Sequence, residues 1–239
     1  MCSSDLLSVS GTAASSVTLQ VAANSITVNG ATNINAYGIF NDNNTTGTNL
    51  FAGLVTIATN GQFINSNAPV YEFRGGITNN GTFTKSGAGT TTFSTNPQTI
   101  SGSNVLTFSG GDIIISNPAS LDVSTDISFS GTNFTNSSNA ISAFNATAGT
   151  FTFLPNAAQN IGGTGTGTVT FYNLTCAGGN TKTANRQFDV ANNLTVNTGV
   201  TMTLGGTAST YNIGGNVALN GTGTFNLGTV ANIINITGN

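Results

Sequence analysis

Apolar side chains recur at every second position along the chain, in short runs. Val17-Thr-Leu-Gln-Val21, Val169-Thr-Phe171, Leu194-Thr-Val196 and Val200-Thr-Met-Thr-Leu204 are examples. A spacing of two places alternate side chains on opposite faces of an extended strand, so each run predicts a strand buried on one side. The runs are bounded by Asn-Gly, Gly-Gly, Thr-Gly and Ser-Gly pairs, which read as turns. No window of a dozen residues offers an apolar stripe at helical spacing with a capped start and stop, and essentially no α-helix is expected.

The runs also repeat. Ile57-Ala-Thr-Asn-Gly-Gln-Phe63 aligns with Ile77-Thr-Asn-Asn-Gly-Thr-Phe83 at an offset of 20, as do Ser66 with Ser86 and Phe73 with Phe93. Asn193-Leu-Thr-Val196 returns as Asn216-Val-Ala-Leu219 at an offset of 23, and a second strand follows each copy, Val200 to Leu204 and Thr224 to Leu227. Two longer echoes match Phe93…Gln98-Thr-Ile100 with Phe153…Gln159-Asn-Ile161, and Leu121-Asp-Val-Ser-Thr-Asp-Ile127 with Phe188-Asp-Val-Ala-Asn-Asn-Leu194. They suggest units of about 60 to 67 residues.

A period near 20 with several short strands per unit is the signature of stacked coils, none of which can close a core alone. The expected fold is all-β: a right-handed parallel β-helix, or β-solenoid, with coils of 20–23 residues. The hand is one feature these residues do not encode. Ten or eleven coils are expected, and at a strand spacing of ~4.8 Å the rod is about 50 Å long. An antiparallel sandwich, whose strands recur about every 8 to 12 residues, is the competing fold. The uniform composition along the chain favours the solenoid.

Met1-Cys2-Ser3-Ser4-Asp5-Leu6 matches the translation of a common sequencing adapter. Residues 1–6 are therefore read as non-native, and 7–239 as one solenoid region cut from a longer protein, with no cap visible at Met1 or Asn239. Exposed ends of this kind predict end-to-end self-association or fraying. Cys2 and Cys176 could pair, but on this reading Cys176 is a lone thiol.

The stretch Phe153…Gln159-Asn-Ile161-Gly-Gly…Val169-Thr-Phe171-Tyr-Asn-Leu-Thr175, with Asn193-Leu-Thr-Val-Asn-Thr-Gly-Val-Thr-Met-Thr-Leu204, resembles the repeats of large secreted surface proteins of Bacteroidota. Many of those are cargo of the type IX secretion route. It is similar, more loosely, to filamentous-haemagglutinin-type and autotransporter passenger β-helices. The resemblance spans about residues 55–239, and its motifs are of low complexity. It implies a structural or adhesive, non-catalytic segment located outside the cell or on a bacterial surface, with a glycan or cell-surface ligand as partner. The chain lacks the C-terminal sorting domain or barrel of such proteins, which leaves the export route open.

Composition narrows the chemistry. Thr 41, Asn 35, Gly 31 and Ser 22 make up over half of 239 residues, against 11 charges, no His, no Trp and a single Glu, Glu72. The apolar content of 38% suffices for a core, and disorder by charge repulsion does not apply. Gly lacks the three-residue period of collagen. Four scattered cations, Arg74, Lys85, Lys182 and Arg186, are too few to track a nucleic-acid backbone. No apolar run is long enough to span a membrane.

Few groups remain for chemistry, and no catalytic, cofactor-binding or metal-binding residue is assigned. Asp112, Asp122 and Asp126 form the only local acidic group. Asp122 and Asp126 could face the same way, as a carbohydrate-active β-helix would need of its paired carboxylates. The plainer reading is solvated turn carboxylates. Arg186 and Asp189 read as a surface ion pair. Gly110-Gly-Asp-Ile113 only faintly resembles a calcium-binding repeat. Gly163-Thr-Gly-Thr-Gly167 has no Lys and no following helix, so it reads as a turn rather than a phosphate loop. Cys176 is expected inward as a small core residue, since no His exists to activate it. Thr164, Thr166, Thr168 and Thr170 alternate, as do Thr201 and Thr203, which places hydroxyls on one strand face. An ice-binding solenoid is accordingly a further alternative.

Overall fold

The structure, a computed structural model, describes residues 2–4, 6–22, 24–154 and 157–238. Met1 and Asp5, within the six-residue opening, lie outside the described residues, as does Asn239. Among those described there is no α-helix, and 32 strands of two to five residues form three parallel sheets of eleven, eleven and ten strands. Each strand pairs with the third strand on, so every coil contributes one strand to each sheet in turn. Among the described residues no helix is long and apolar enough to cross a membrane.

The period-two pattern explains the strands. Val55-Thr-Ile57 alternates buried, half-buried, buried, and Ile77-Thr-Asn79 and Leu106-Thr-Phe108 do the same. Inward residues then stack on their counterparts one coil away. Ile77 lies between Val55 and Ile100 in the second sheet. Phe40, Phe63 and Phe83 stack in the third, with ring centroids 4.7 and 5.0 Å apart. These separations match the ~4.8 Å between neighbouring strands, so the backbone ladder itself brings the rings into contact.

Most coils have the expected length. The register advances by 20 at Phe63↔Phe83 and by 23 at Leu194↔Val217, as the repeats predicted. Phe73 likewise pairs with Phe93. Steps of 19, at Thr170↔Asp189, and of 27, at Asn133↔Asn160, fall below and above the predicted range. The strands stay short throughout, so the difference is absorbed at the corners and at one irregularity between Ser142 and Phe144. Ile57 pairs with Asn79 rather than with Ile77, because the corner at 80–81 is two residues shorter than the corner at 58–61 and shifts the register before Phe63 meets Phe83.

The longer echo of 60 residues does not close on itself. Phe93 lies in the first sheet and Phe153 in the third, while Gln98 lies in the second and Gln159 in the first. The motif is nonetheless conserved as local geometry. Gln98 Nε2 donates to the carbonyl of Phe73, the coil-neighbour of Phe93, at 2.9 Å. Gln159 Nε2 donates to Phe129, the coil-neighbour of Phe153, at 3.3 Å. The motif specifies a corner, and it has turned by one side of the prism. The second echo keeps its sides: Val123 and Val190 are both inward in the second sheet, Ile127 and Leu194 in the third.

Candidate functional site

The three candidate carboxylates are not brought together. Asp112 leads into Ile113–Ser116 of the first sheet, Asp122 lies within Ser120–Val123 of the second, and Asp126 leads into Ile127–Phe129 of the third. Each serves a different side of the prism and is engaged by the next coil. Asp112 accepts from the backbone N–H of Asn133 at 2.9 Å and from its Nδ2 at 2.8 Å. Asp122 accepts from Asn145 Nδ2 at 3.1 Å, and Asp126 from the N–H of Thr150 at 2.8 Å. The idea that Asp122 and Asp126 face the same way is corrected by the corner at Ser124 and Thr125, which turns the chain from one sheet to the next. Among the described residues no group of three His, Cys, Asp or Glu side chains is placed to hold a metal ion.

Asp112, and Asp189 further along the chain, head Asn ladders. Asn160 Nδ2 donates to Asn133 Oδ1 at 3.1 Å, continuing the chain from Asp112. Asp189 accepts from Asn212 N and Nδ2, both at 3.0 Å, and Asn235 Nδ2 then donates to Asn212 Oδ1. Each amide donates backward and accepts from the coil ahead. An ionised Asp has no donor, so it fits only at the head of a ladder. This use of Asp189 replaces the predicted ion pair with Arg186. Among the described residues the salt bridge formed is Arg74–Glu72, at 2.7 Å.

Arg186 instead binds the glycine run. Its Nη1 donates to the carbonyls of Asn136 and Gly165, at 3.1 and 3.2 Å, and its Nη2 to Gly167 at 2.6 Å. The run forms a corner, as predicted. At Gly163, with φ +114°, a Cβ would fall 2.0 Å from the Asn136 carbonyl oxygen, so the close stacking of coils there requires glycine. Thr164 and Thr166 belong to this corner and only Thr168 and Thr170 to the strand, which corrects the expectation of four hydroxyls on one strand face. Thr201 and Thr203 do share a face of Val200–Leu204.

The sequence reading missed a polar interior. Asp42, Asn65 and Lys85 occupy one inward row of the third sheet in three successive coils, each at most 1% exposed. Asp42 Oδ2 accepts from Asn49 Nδ2 at 2.5 Å and from the Tyr71 hydroxyl, and Asp42 Oδ1 takes the N–H of Asn44 at 2.8 Å. Lys85 Nζ donates to the carbonyls of Gly87, Gly89 and Gly110, at 2.6 Å for Gly87 and 3.1 Å for Gly110. Three ammonium hydrogens thus meet three acceptors, which satisfies a charge that burial would otherwise penalise. Burial still pushes Lys85 down to about 8 and holds Asp42 and Tyr71 above their ordinary values. Lys182 is buried as well, donates to the Leu154 carbonyl, and is shifted down by the same desolvation.

Cys176 is buried in Asn173–Cys176, 3.7 Å from Met202 Sδ, and desolvation pushes its thiol up to about 12. The side chain of Cys2 lies outside the described residues. Depressions in the surface are small or shallow. One beside Arg186, lined by Thr166, Thr168 and Asp189, holds about 80 Å³. A broader, open groove of about 360 Å³ lies on the third sheet beside Thr84, Thr107 and Asp126. No family model, curated protein or solved structure matches the chain.

Proposed function

We propose that this chain is a non-catalytic structural and adhesive segment of an exported cell-surface protein. One observation carries the reading. Buried Asp42, Lys85 and Lys182, half-buried Arg186, and the carboxylates of Asp112, Asp122 and Asp126 are engaged by the rod's own backbone and polar side chains. Groups held in that way stiffen the stack and are poorly placed to act on a substrate. What faces outward is three sides of a prism carrying hydroxyls and amides. Such surfaces suit contact along a length of rod, with affinity spread over many weak polar interactions.

Adhesion of protein-coated beads to glycan-coated surfaces and to cells tests the reading. Binding is expected to survive neutralisation of Asp112, Asp122, Asp126 or Asp189 one at a time. Loss of binding on a single Asp→Asn change, or turnover of a polysaccharide abolished by one, overturns it.

A further inference from the structure

Six successive coils place one hydroxyl each in a single outward row of the third sheet: Thr84, Thr107, Ser128, Thr152, Thr175 and Thr195. All six are half-exposed. Among the described residues none of these hydroxyls is spent on an intramolecular hydrogen bond. Elsewhere the rod does use such groups, as where Thr78 and Ser101 bond to each other at 3.1 Å in the second sheet. The register runs through this row without a bulge, so the hydroxyls repeat at the ~4.8 Å strand spacing over about 24 Å. Thr side chains in strands have restricted rotamers, and their hydroxyls are held in place before any partner arrives. At the start of the row lies the open groove, where Thr82, Thr84 and Thr107 stand beside Asp126 and the exposed Val105.

We propose that this row is a binding track for one extended, neutral polysaccharide chain lying along the rod axis. The inference rests on the adhesive reading and names its face and its partner. A single file of hydroxyls suits a linear polymer, whereas a planar lattice such as ice requires several parallel files. The row itself carries no charge, so it offers a polyanion nothing to pair with. Val105 gives the groove an apolar patch for sugar C–H groups, and Asp126 gives it an acceptor for sugar hydroxyls.

Affinity electrophoresis and calorimetry with xyloglucan and cellohexaose, and with polygalacturonate as the charged comparison, test the proposal. The variant Thr84→Val/Thr107→Val/Thr152→Val removes three hydroxyls and keeps shape and strand preference; Thr56→Val removes one outward hydroxyl from the second sheet and breaks no side-chain hydrogen bond. Wild type and the second-sheet variant are expected to bind the neutral glycans, the third-sheet variant to lose binding, and all three to melt alike. Asp126→Asn keeps an acceptor and is expected to bind. Equal loss in both Val variants, or no loss in either, overturns the track. Preference for polygalacturonate, or ice-growth inhibition without glycan binding, overturns the neutral glycan as partner while bead adhesion continues to judge the adhesive reading. Binding to none of these probes alongside intact bead adhesion overturns the proposal and leaves that reading standing.

Discussion

The Tyr71 hydroxyl donates to the Asp42 carboxylate inside the rod, joining the first sheet to the third where both residues are wholly buried. Asn49 and the N–H of Asn44 complete the carboxylate's shell. Tyr71 itself packs against Phe51 and Phe63, and the proton affinity of the carboxylate it holds has a direct consequence for stability.

Burial raises the Asp42 pKa against the opposing pull of Tyr71, Asn44 and Asn49. The folded state therefore holds a proton that the unfolded state releases between the ordinary aspartate value and the raised one. The Asp42 contribution to stability is full below that window and is lost as pH rises through it. Asp42→Asn removes the titration. Denaturant midpoints from about pH 3 to about pH 7 should show wild type losing ground to the variant as pH rises. A constant difference between the two would contradict the assignment.

Lys85 shifts the other way, down to about 8. Between that value and the ordinary lysine range the unfolded state binds the proton more tightly, so stability rises with pH across the window. Lys85→Met leaves the carbonyls of Gly87, Gly89 and Gly110 without their donor. The expected cost at neutral pH is on the order of 2 kcal/mol, with the gap from wild type widening as the solution becomes alkaline. Urea titrations of the two proteins at matched pH check both parts.

Cys176 should be chemically silent in the folded rod. It is buried, its thiol is pushed up to about 12, and the thiolate is the reactive form. In a Cys2→Ser background, labelling by an aromatic disulfide reagent is expected to follow unfolding and to be absent before it. Fast labelling of the native protein would count against this packing.

The ladder rule predicts an asymmetry between Asp189 and Asn212. Asn212→Asp sets a second acceptor-only carboxylate against Asp189, where two donors now sit at 3.0 Å. It should cost about 1 kcal/mol. Asp189→Asn should change stability by no more than about 0.5 kcal/mol. Thermal melts of both variants distinguish the rule from a general intolerance of substitution there.

Much of this was legible in advance. Alternation in Val200–Leu204 and the offset between Phe63 and Phe83 announced strands and coils, because side-chain period and strand stacking depend only on local pattern. The polar interior was legible too, and was overlooked. Asp42, Asn65 and Lys85 each stand two residues after an inward Phe (Phe40, Phe63 and Phe83), and period two obliges them to point inward as well. Where Asp112, Asp122 and Asp126 would face was not legible, since it depends on the corners at 117–119 and 124–126 that separate their strands.

The sequence by itself determined the parallel coil architecture, the inward rows and the corners, because each follows from alternation and from residues that tolerate tight turns. Only the tertiary structure decided which side each motif occupies and which polar groups meet. Gln98 and Gln159 perform the same task on different sides because the 60-residue interval between their motifs is not a whole number of coils. Facing in a solenoid is the running sum of every corner length before it. Contacts such as Tyr71 with Asp42 exist only once that sum has been taken.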